Sequence, residues 1–414
     1  MLLTDLYGES SMKILQINSV CGVGSTGRIA TDLYKVIEEA GHECVIAYGR
    51  GTAPNGIKTI KIGTNFDNYM HVAKTRIFDK HGFGSTKATK EFIKKVEEYN
   101  PDVIHLHNIH GYYINIEVLF EYLKRANKKV VWTLHDCWAF TGHCAYFDYV
   151  GCSKWKNGCK HCPQKKEYPN SLLIDNSEIN FNKKKDIFTG VKDLTIVTPS
   201  KWLAGLVKES YLSEYKVQVI NNGIDLDVFK PTKSDFRARY GLEDKFIVLG
   251  VASVWDRRKG LNYLVELSQK LDDNYKVIVV GVTEKQKEQL PKNVIGITKT
   301  NNVKELVEIY SAADVFVNPT LEDNFPTTNL EALACGTPIV TFDTGGSIEP
   351  IDTITGIVVK ENSLKELYKS LIKVRKNDLN ENDILNKSKV YDKGKRYIEY
   401  LRIYSNLILK RRVI

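Results

Sequence analysis

The sequence predicts an α/β protein built from two Rossmann-like, doubly wound domains. Three observations predict it. The chain has 414 residues, more than one hydrophobic core usually serves. Short apolar β-type runs alternate with amphipathic helical stretches from one end to the other. Those runs form two series with a Gly- and Pro-marked segment between them, as two βαβ blocks require.

The elements follow in order. Residues 1–11 (MLLTDLYGESS) set Asp5 and Glu9 around a two-leucine apolar core; they do not read as a secretory signal and are taken as an N-terminal extension. A first domain is expected over 12–215, with strands at 13–20, 43–49, 102–107, 129–135 and 194–200. Several are almost wholly apolar, which marks strands covered on both faces of a parallel sheet. Between the first two, a helix over 29–40 sets Leu33, Val36 and Ile37 on one face. The seam falls in KVQVINNGIDLDVFKP (216–231), where Asn222-Gly223 signals a turn and Pro231 ends the segment. A second domain is expected over 216–388, with strands at 246–253, 276–282, 293–297, 314–320 and 338–343 and a helix over 261–271. The closing stretch 389–414 is periodic in Tyr, Ile and Leu, and is expected as a helix packing back on the first domain.

Composition narrows the function classes. Hydrophobic residues make up 43% and charged residues 26%, ordinary globular usage. No uninterrupted apolar run reaches the length a spanning helix needs. The formal charge of +9 is spread along the chain; it argues against a nucleic-acid stripe and suits anionic small molecules or an anionic membrane surface. A cytoplasmic protein is expected, with peripheral contact at the inner face of the cell membrane left open.

In doubly wound folds, ligands gather beyond the carboxyl ends of the strands. The first such loop carries Gly22, Gly24 and Gly27 in G-x-G-x-x-G spacing, followed by Arg28. Small residues there let a ligand approach backbone N–H groups at a helix start. A dinucleotide enzyme would want an acid after the second strand. Tyr48-Gly49-Arg50 stands there instead, which leaves an NADP-dependent oxidoreductase as one alternative. The richest stretch is NPTLEDNFPTTNLEALACGTPIVTFDTGGSIEP (318–350). A strand ends near Pro319, an acidic loop follows, and a helix begins around Pro326 to Thr328. Amides of Thr327, Thr328 and Asn329 would point at an anion, most naturally a phosphate. Glu331, one turn inside, could hold vicinal hydroxyls or merely support the helix start. Asp323 lies in the loop itself.

This run resembles the E-x7-E region of the retaining glycosyltransferases of family 4, including its EAxAxGTPV continuation at Glu331, Ala332, Ala334, Gly336, Thr337, Pro338 and Ile339. The resemblance extends along nearly the whole chain. KILQINSVCGVGSTGR resembles the first strand and glycine loop, and DVIHLHN (102–108) and VVWTLHD (130–136) resemble two strands ending in histidine. VINNGIDLDVFKP resembles the interdomain signature, RRKGL (257–261) the lysine loop, and GGSIE (345–349) the later glycine loop. The LEDN-x-P form and a cysteine-rich insert look most like the branch acting in bacterial surface-polysaccharide synthesis.

The resemblance implies a GT-B fold, two Rossmann-like domains facing a central cleft, and transfer of a hexose from a nucleotide-diphosphate sugar. The acceptor implied is a saccharide or polyprenyl-linked saccharide, in capsule, exopolysaccharide or O-antigen synthesis. It implies that Lys259 contacts the donor diphosphate, that the amides at Thr327 and Thr328 hold the same group, and that Asn324, Phe325 and Pro326 line it. It further implies that Glu331 binds ribose, Asp323 the donor sugar hydroxyls, His135 the sugar near its reacting carbon, and Gly22, Gly24 and Arg28 the first-domain side of the donor. Two departures stand out. Asp323 replaces the usual glutamate, next to Glu322, and the family arginine falls on Val254, so Arg257 or Arg258 would supply that cation. No metal is implied for catalysis. A nucleotide-sugar epimerase sharing the GT-B architecture is the other alternative, although it would not be expected to carry this run together with the hinge signature.

The insert 137–165 contains Cys144, Cys152, Cys159 and Cys162 in C-x7-C-x6-C-x2-C, with His143 and His161 as spare nitrogen ligands. The last knuckle suits tetrahedral zinc, so a structural zinc site is expected there, with reduced buried thiols as the alternative and disulfides or an iron–sulfur cluster behind it. Its aromatics, Trp138, Phe140, Tyr146, Phe147 and Trp155, would form a small core around the knuckle or stack on sugar or lipid.

Overall fold

The structure is a computed structural model that describes residues 11–377 and 379–409. All but the last residue of the expected N-terminal extension, and residues 410–414 of the expected closing helix, lie outside it. The chain divides into two compact units. One runs up to Asn221 and takes in the chain again from Tyr397; the other is Asn222–Arg396.

The first unit holds seven strands among the described residues: β1 (Lys13–Val20), β2 (Glu43–Arg50), β3 (Thr59–Lys61), β4 (Val103–Leu106), β5 (Lys129–Thr133), β6 (Leu194–Thr198) and β7 (Lys216–Val219). Their order is β3-β2-β1-β4-β5-β6-β7, parallel throughout. The alternation of β1 serves two cores: Leu15 and Ile17 enter one apolar cluster, Met12 and Ile14 the other. Both faces are covered, as strands this apolar demand. The helix Lys393–Leu409 lays Tyr397, Tyr400, Leu401, Ile403 and Tyr404 into the second of these clusters. Two of its tyrosines reach the strands: Tyr404 Oη lies 2.7 Å from His105 Nδ1, and Tyr400 Oη lies 3.2 Å from Thr133 Oγ1.

The second unit holds β8 (Phe246–Val251), β9 (Tyr275–Val280), β10 (Val294–Ile297), β11 (Val315–Asn318), β12 (Ile339–Phe342) and β13 (Gly356–Val359), in the parallel order β10-β9-β8-β11-β12-β13. Ile247 and Leu249 face one core and Val248 the other. Each sheet reverses direction once, between β1 and β4 and between β8 and β11. Those two switch points are where such sheets open a ligand crevice beyond the strand ends.

Three strands escape the sequence reading: β3, β7 and β13. β3 and β7 are edge strands with half-exposed residues, and all three are three or four residues long. Polar residues break the first two, TIK and KVQV, and a glycine opens the third, GIVV.

Candidate functional site

At the switch point of the second unit, the loop after β8 and the loop after β11 meet. Asp256 caps the first: its Oδ1 accepts from Lys259 N at 3.1 Å. Gly260 ends that turn at φ 73°, and a Cβ there would sit 2.2 Å from the carbonyl oxygen of Pro319. Only glycine combines that left-handed backbone with so close an approach. Leu321 N donates to Arg258 O at 2.8 Å, and Arg258 Nη1 donates to Glu322 O at 3.2 Å. Arg258 therefore binds one loop to the other through backbone groups. Val254, where the resemblance would put an arginine, is 62% exposed.

The clamp brings Lys259 and Asp323 together across 64 residues of sequence, with Nζ 2.5 Å from Oδ2. The other oxygen of Asp323 accepts from Asn324 N at 2.9 Å. Asn324, Phe325 and Pro326 are buried, and Asn222 Nδ2 anchors the Phe325 carbonyl at 2.9 Å. The helix Thr327–Ala334 then starts with Pro326 at its N-cap and no side-chain cap. Asn329 N already donates to Pro326 O at 3.2 Å, so the expectation of three available amides reduces to those of Thr327 and Thr328, which have no intrahelical acceptor. Glu331 is buried, and its Oε2 accepts from Tyr310 Oη at 3.0 Å.

A further group at this end was not identified from the sequence. Gly346 N donates to the Asp323 carbonyl at 3.3 Å, which brings the loop after β12 beside the acid. In that loop the Thr344 hydroxyl is buried and has no hydrogen-bond partner among the described residues. A threonine before Gly-Gly carries no sequence signal that separates it from any loop residue. Lys259, Asp323, Thr327 and Thr328 thus share one strand-end region, with Arg258 holding the loops and Glu331 tied to Tyr310.

In the first unit, the turn after β1 has Gly22 and Gly24 at φ 75° and 65°, with Gly22 N donating to Gly27 O at 3.1 Å. The helix Gly24–Glu39 follows without a side-chain cap, and Arg28 is exposed one turn inside it. His135 follows β5. Its Nε2 lies 3.2 Å from His107 Nδ1, and the two rings stack at 5.5 Å. His107 Nε2 in turn lies 3.0 Å from Gln16 Oε1, while Gln16 Nε2 donates to Ala30 O at 3.0 Å. The amide orientation decides the protons. Gln16 Oε1 needs a donor, so His107 carries its proton on Nε2 and accepts at Nδ1, and His135 must donate from Nε2. Burial lowers His135 to about 4 and holds His107 well below its usual range, so both rings are neutral near pH 7. Of the strand histidines, His105 and His107 are both buried, and it is His107 that reaches His135.

The cysteine-rich insert brings Cys144, Cys152, Cys159 and Cys162 within interaction range of one another. Among the described residues, no group of three or more His, Cys, Asp or Glu side chains is arranged to hold a metal ion. Cys144 and Cys162 hydrogen-bond each other, which raises the first thiol and lowers the second. Cys152 and Cys159 pack half-buried against the apolar cluster. Aromatic side chains share the apolar cluster with these thiols. Phe147 stacks on Trp155 at 5.0 Å with Phe140 beside them. The buried Lys184 donates to the carbonyls of Trp138 and Thr141 at 2.6 and 2.9 Å. Aromatic packing and one lysine organise the segment.

Comparison with known proteins bears on the family and the fold. The profile described as Glycosyltransferase Family 4 matches residues 26–228, and that described as Glycosyl transferases group 1 matches residues 232–390. A putative colanic acid biosynthesis glycosyl transferase, WcaC, from Escherichia coli K12 is 26% identical over 86% of this chain and 89% of its own. A glycogen synthase from Mycoplasma mobile is 24% identical over 76% of this chain and 74% of its own. Among solved structures, a sucrose-phosphate synthase from Thermosynechococcus elongatus superposes with a TM-score of 0.73 at 18% identity, covering 96% of this chain and 100% of the other. The Anabaena protein HepE, solved in complex with UDP, gives 0.66 at 13% identity over 95% and 100%.

Proposed function

Because this chain belongs to glycosyltransferase family 4 and has the GT-B fold, we propose that it moves a sugar, with retention of anomeric configuration, from a nucleotide-diphosphate sugar to a saccharide or polyprenyl-linked acceptor. The pathway proposed is bacterial surface-polysaccharide synthesis, which the likeness to a colanic acid biosynthesis glycosyl transferase supports. A nucleotide-diphosphate donor is supported by the UDP complex of a protein with the same fold.

One observation carries the reading: the Lys259–Asp323 pair beside an uncapped helix start at the switch point. In this proposal the diphosphate seats on the amides of Thr327 and Thr328 and draws the Lys259 ammonium to itself. Asp323, released from the lysine, accepts hydroxyls of the donor sugar, and Glu331, oriented by Tyr310, accepts those of the ribose. His135 donates from Nε2 to His107.

The chemistry then balances without a protein nucleophile. The bond from the anomeric carbon to the diphosphate oxygen breaks, the acceptor oxygen bonds on the same face, and its proton passes to the departing diphosphate. The protein orients both partners and stabilises charge growing on the leaving group. The cysteine-rich insert enters as a packed structural element. The test is to incubate purified protein with nucleotide sugars and candidate acceptors. Release of nucleoside diphosphate with acceptor glycosylation supports transfer. An altered nucleotide sugar without transfer would indicate epimerisation and overturn the reading.

A further inference from the structure

The helix Asn65–Phe78 is amphipathic the wrong way round. Its inward face is polar: Asn68, His71 and Thr75 are its buried residues. Asn68 Nδ2 donates to Gly49 O at 3.0 Å. His71 Nε2 accepts from the amides of Gly82 and Gly84 at 3.1 and 3.3 Å. Hydrogen bonds, rather than apolar burial, hold this helix to the unit. Its outward face carries Phe66, Tyr69, Met70, Ile77 and Phe78, the first two 71% and 72% exposed. A globular protein ordinarily turns such a stripe inward.

A second apolar element lies against the end of that helix. Leu172, Leu173 and Ile174 are all exposed. Leu172 N donates to Arg76 O at 2.7 Å, and Asn176 Nδ2 donates to Phe78 O at 2.7 Å. The loop therefore extends the helix face instead of forming a separate patch. Contiguous exposed apolar surface of this kind marks an interaction site.

The charge around it selects the partner. Lys74, Lys80 and Lys166 are exposed, and Lys165 supports the loop by donating to Leu173 O at 3.3 Å. Several acids of the same segments are turned to backbone amides. Asp67 accepts from Thr64 N at the helix cap, Asp79 accepts from Asn176 N, and Asp175 accepts from Cys162 N and Ser177 N. Glu167 and Glu178 remain exposed, fewer than the cations. An apolar helix face with aromatics, flanked by lysines, is the pattern of a segment lying in the plane of an anionic bilayer surface.

We infer that this face of the first unit docks on an anionic membrane, the helix Asn65–Phe78 lying among the headgroups and the loop 172–174 inserting its leucines. The inference goes beyond the transfer reaction and does not depend on it. The test is co-sedimentation of the full chain with vesicles of phosphatidylcholine alone and of phosphatidylcholine mixed with phosphatidylglycerol. Binding is expected to the mixed vesicles, weaker to the neutral ones, and reversed by high salt. Leu172→Ser/Leu173→Ser and, separately, Phe66→Ser/Tyr69→Ser are each expected to raise the lipid needed for half-binding by at least about tenfold. Lys74→Glu/Lys165→Glu should abolish the preference for anionic lipid. All these side chains except Lys165 are exposed, so melting temperatures should hold and show that any loss is not unfolding. Wild-type protein that ignores mixed vesicles, or variants that bind as well as wild type, would overturn the inference. So would concentration-dependent dimerisation abolished by the same variants, since a second copy would then be the occupant.

Discussion

Replacing Lys259 by methionine separates a catalytic role from a structural one. The ammonium sits 2.5 Å from Asp323, and the side chains are 21% and 11% exposed. As an ion pair alone, such a contact contributes about 0–1 kcal/mol to stability, so the melting temperature should fall by no more than about 4 °C. Opposite a diphosphate the same cation matters more. At about 4 Å and an effective dielectric of about 20, one unit charge pair attracts by about 4 kcal/mol. Removing a single stabilising donor from a charged transition state costs about 2.7–4 kcal/mol, or about 10²–10³ in kcat. Lys259→Met is therefore expected to lose about a hundredfold to a thousandfold in kcat with its fold intact. The control is Lys259→Met/Asp323→Asn, which removes both charges and leaves no carboxylate without its partner. If Lys259 served only to neutralise Asp323, the double variant would be no slower than Asp323→Asn alone. Nucleoside diphosphate release, measured beside thermal unfolding, decides it. A double variant within about threefold of Asp323→Asn alone would refute the reasoning.

Three other outcomes follow from the same geometry. Gly260→Ala must bring a Cβ to within 2.2 Å of the Pro319 carbonyl at φ 73°; the lysine loop should shift and donor affinity by calorimetry should fall at least about tenfold, whereas unchanged affinity would detach that loop from the donor. Gln16→Met removes the acceptor that orders His107; ¹⁵N spectra should show His135 losing its single Nε2–H tautomer, and an unaltered signature would show that Gln16 does not position it. Burial lowers His71 and His105 to about 3 and His135 to about 4. Because these folded values lie below the unfolded value of about 6.5, their contribution is complete above that pH and is lost as pH falls toward 4. Urea midpoints should decline across that window, and a flat profile would contradict the burial.

The layout of the fold was legible because parallel strands buried on both faces write nearly unbroken apolar runs, as in β8 and β9. β3, β7 and β13 were not, since polar residues break TIK and KVQV and a glycine opens GIVV. The site divides in the same way. Pro326, Thr327 and Thr328 announce a helix start locally, and the position of Asp323 before it is visible in the chain. That Asp323 meets Lys259 depends on two loops at neighbouring strand ends, which spacing along the sequence cannot express. The Gln16–His107–His135 chain likewise joins three adjacent strands. For the cysteines, C-x2-C spacing says that two thiols can converge, but not that Cys162 hydrogen-bonds the more distant Cys144. The outward face of Asn65–Phe78 was hidden because periodicity gives a stripe without saying which way it turns.

The most direct measurement is the structure of the chain with a nucleoside diphosphate bound. Both phosphorus atoms should lie at the start of the helix Thr327–Ala334, with phosphate oxygens accepting from the Thr327 and Thr328 amides and from Lys259 Nζ, and with Asp323 no longer paired to that lysine. Phosphates bound away from that helix start, with the Lys259–Asp323 contact intact, would contradict the account.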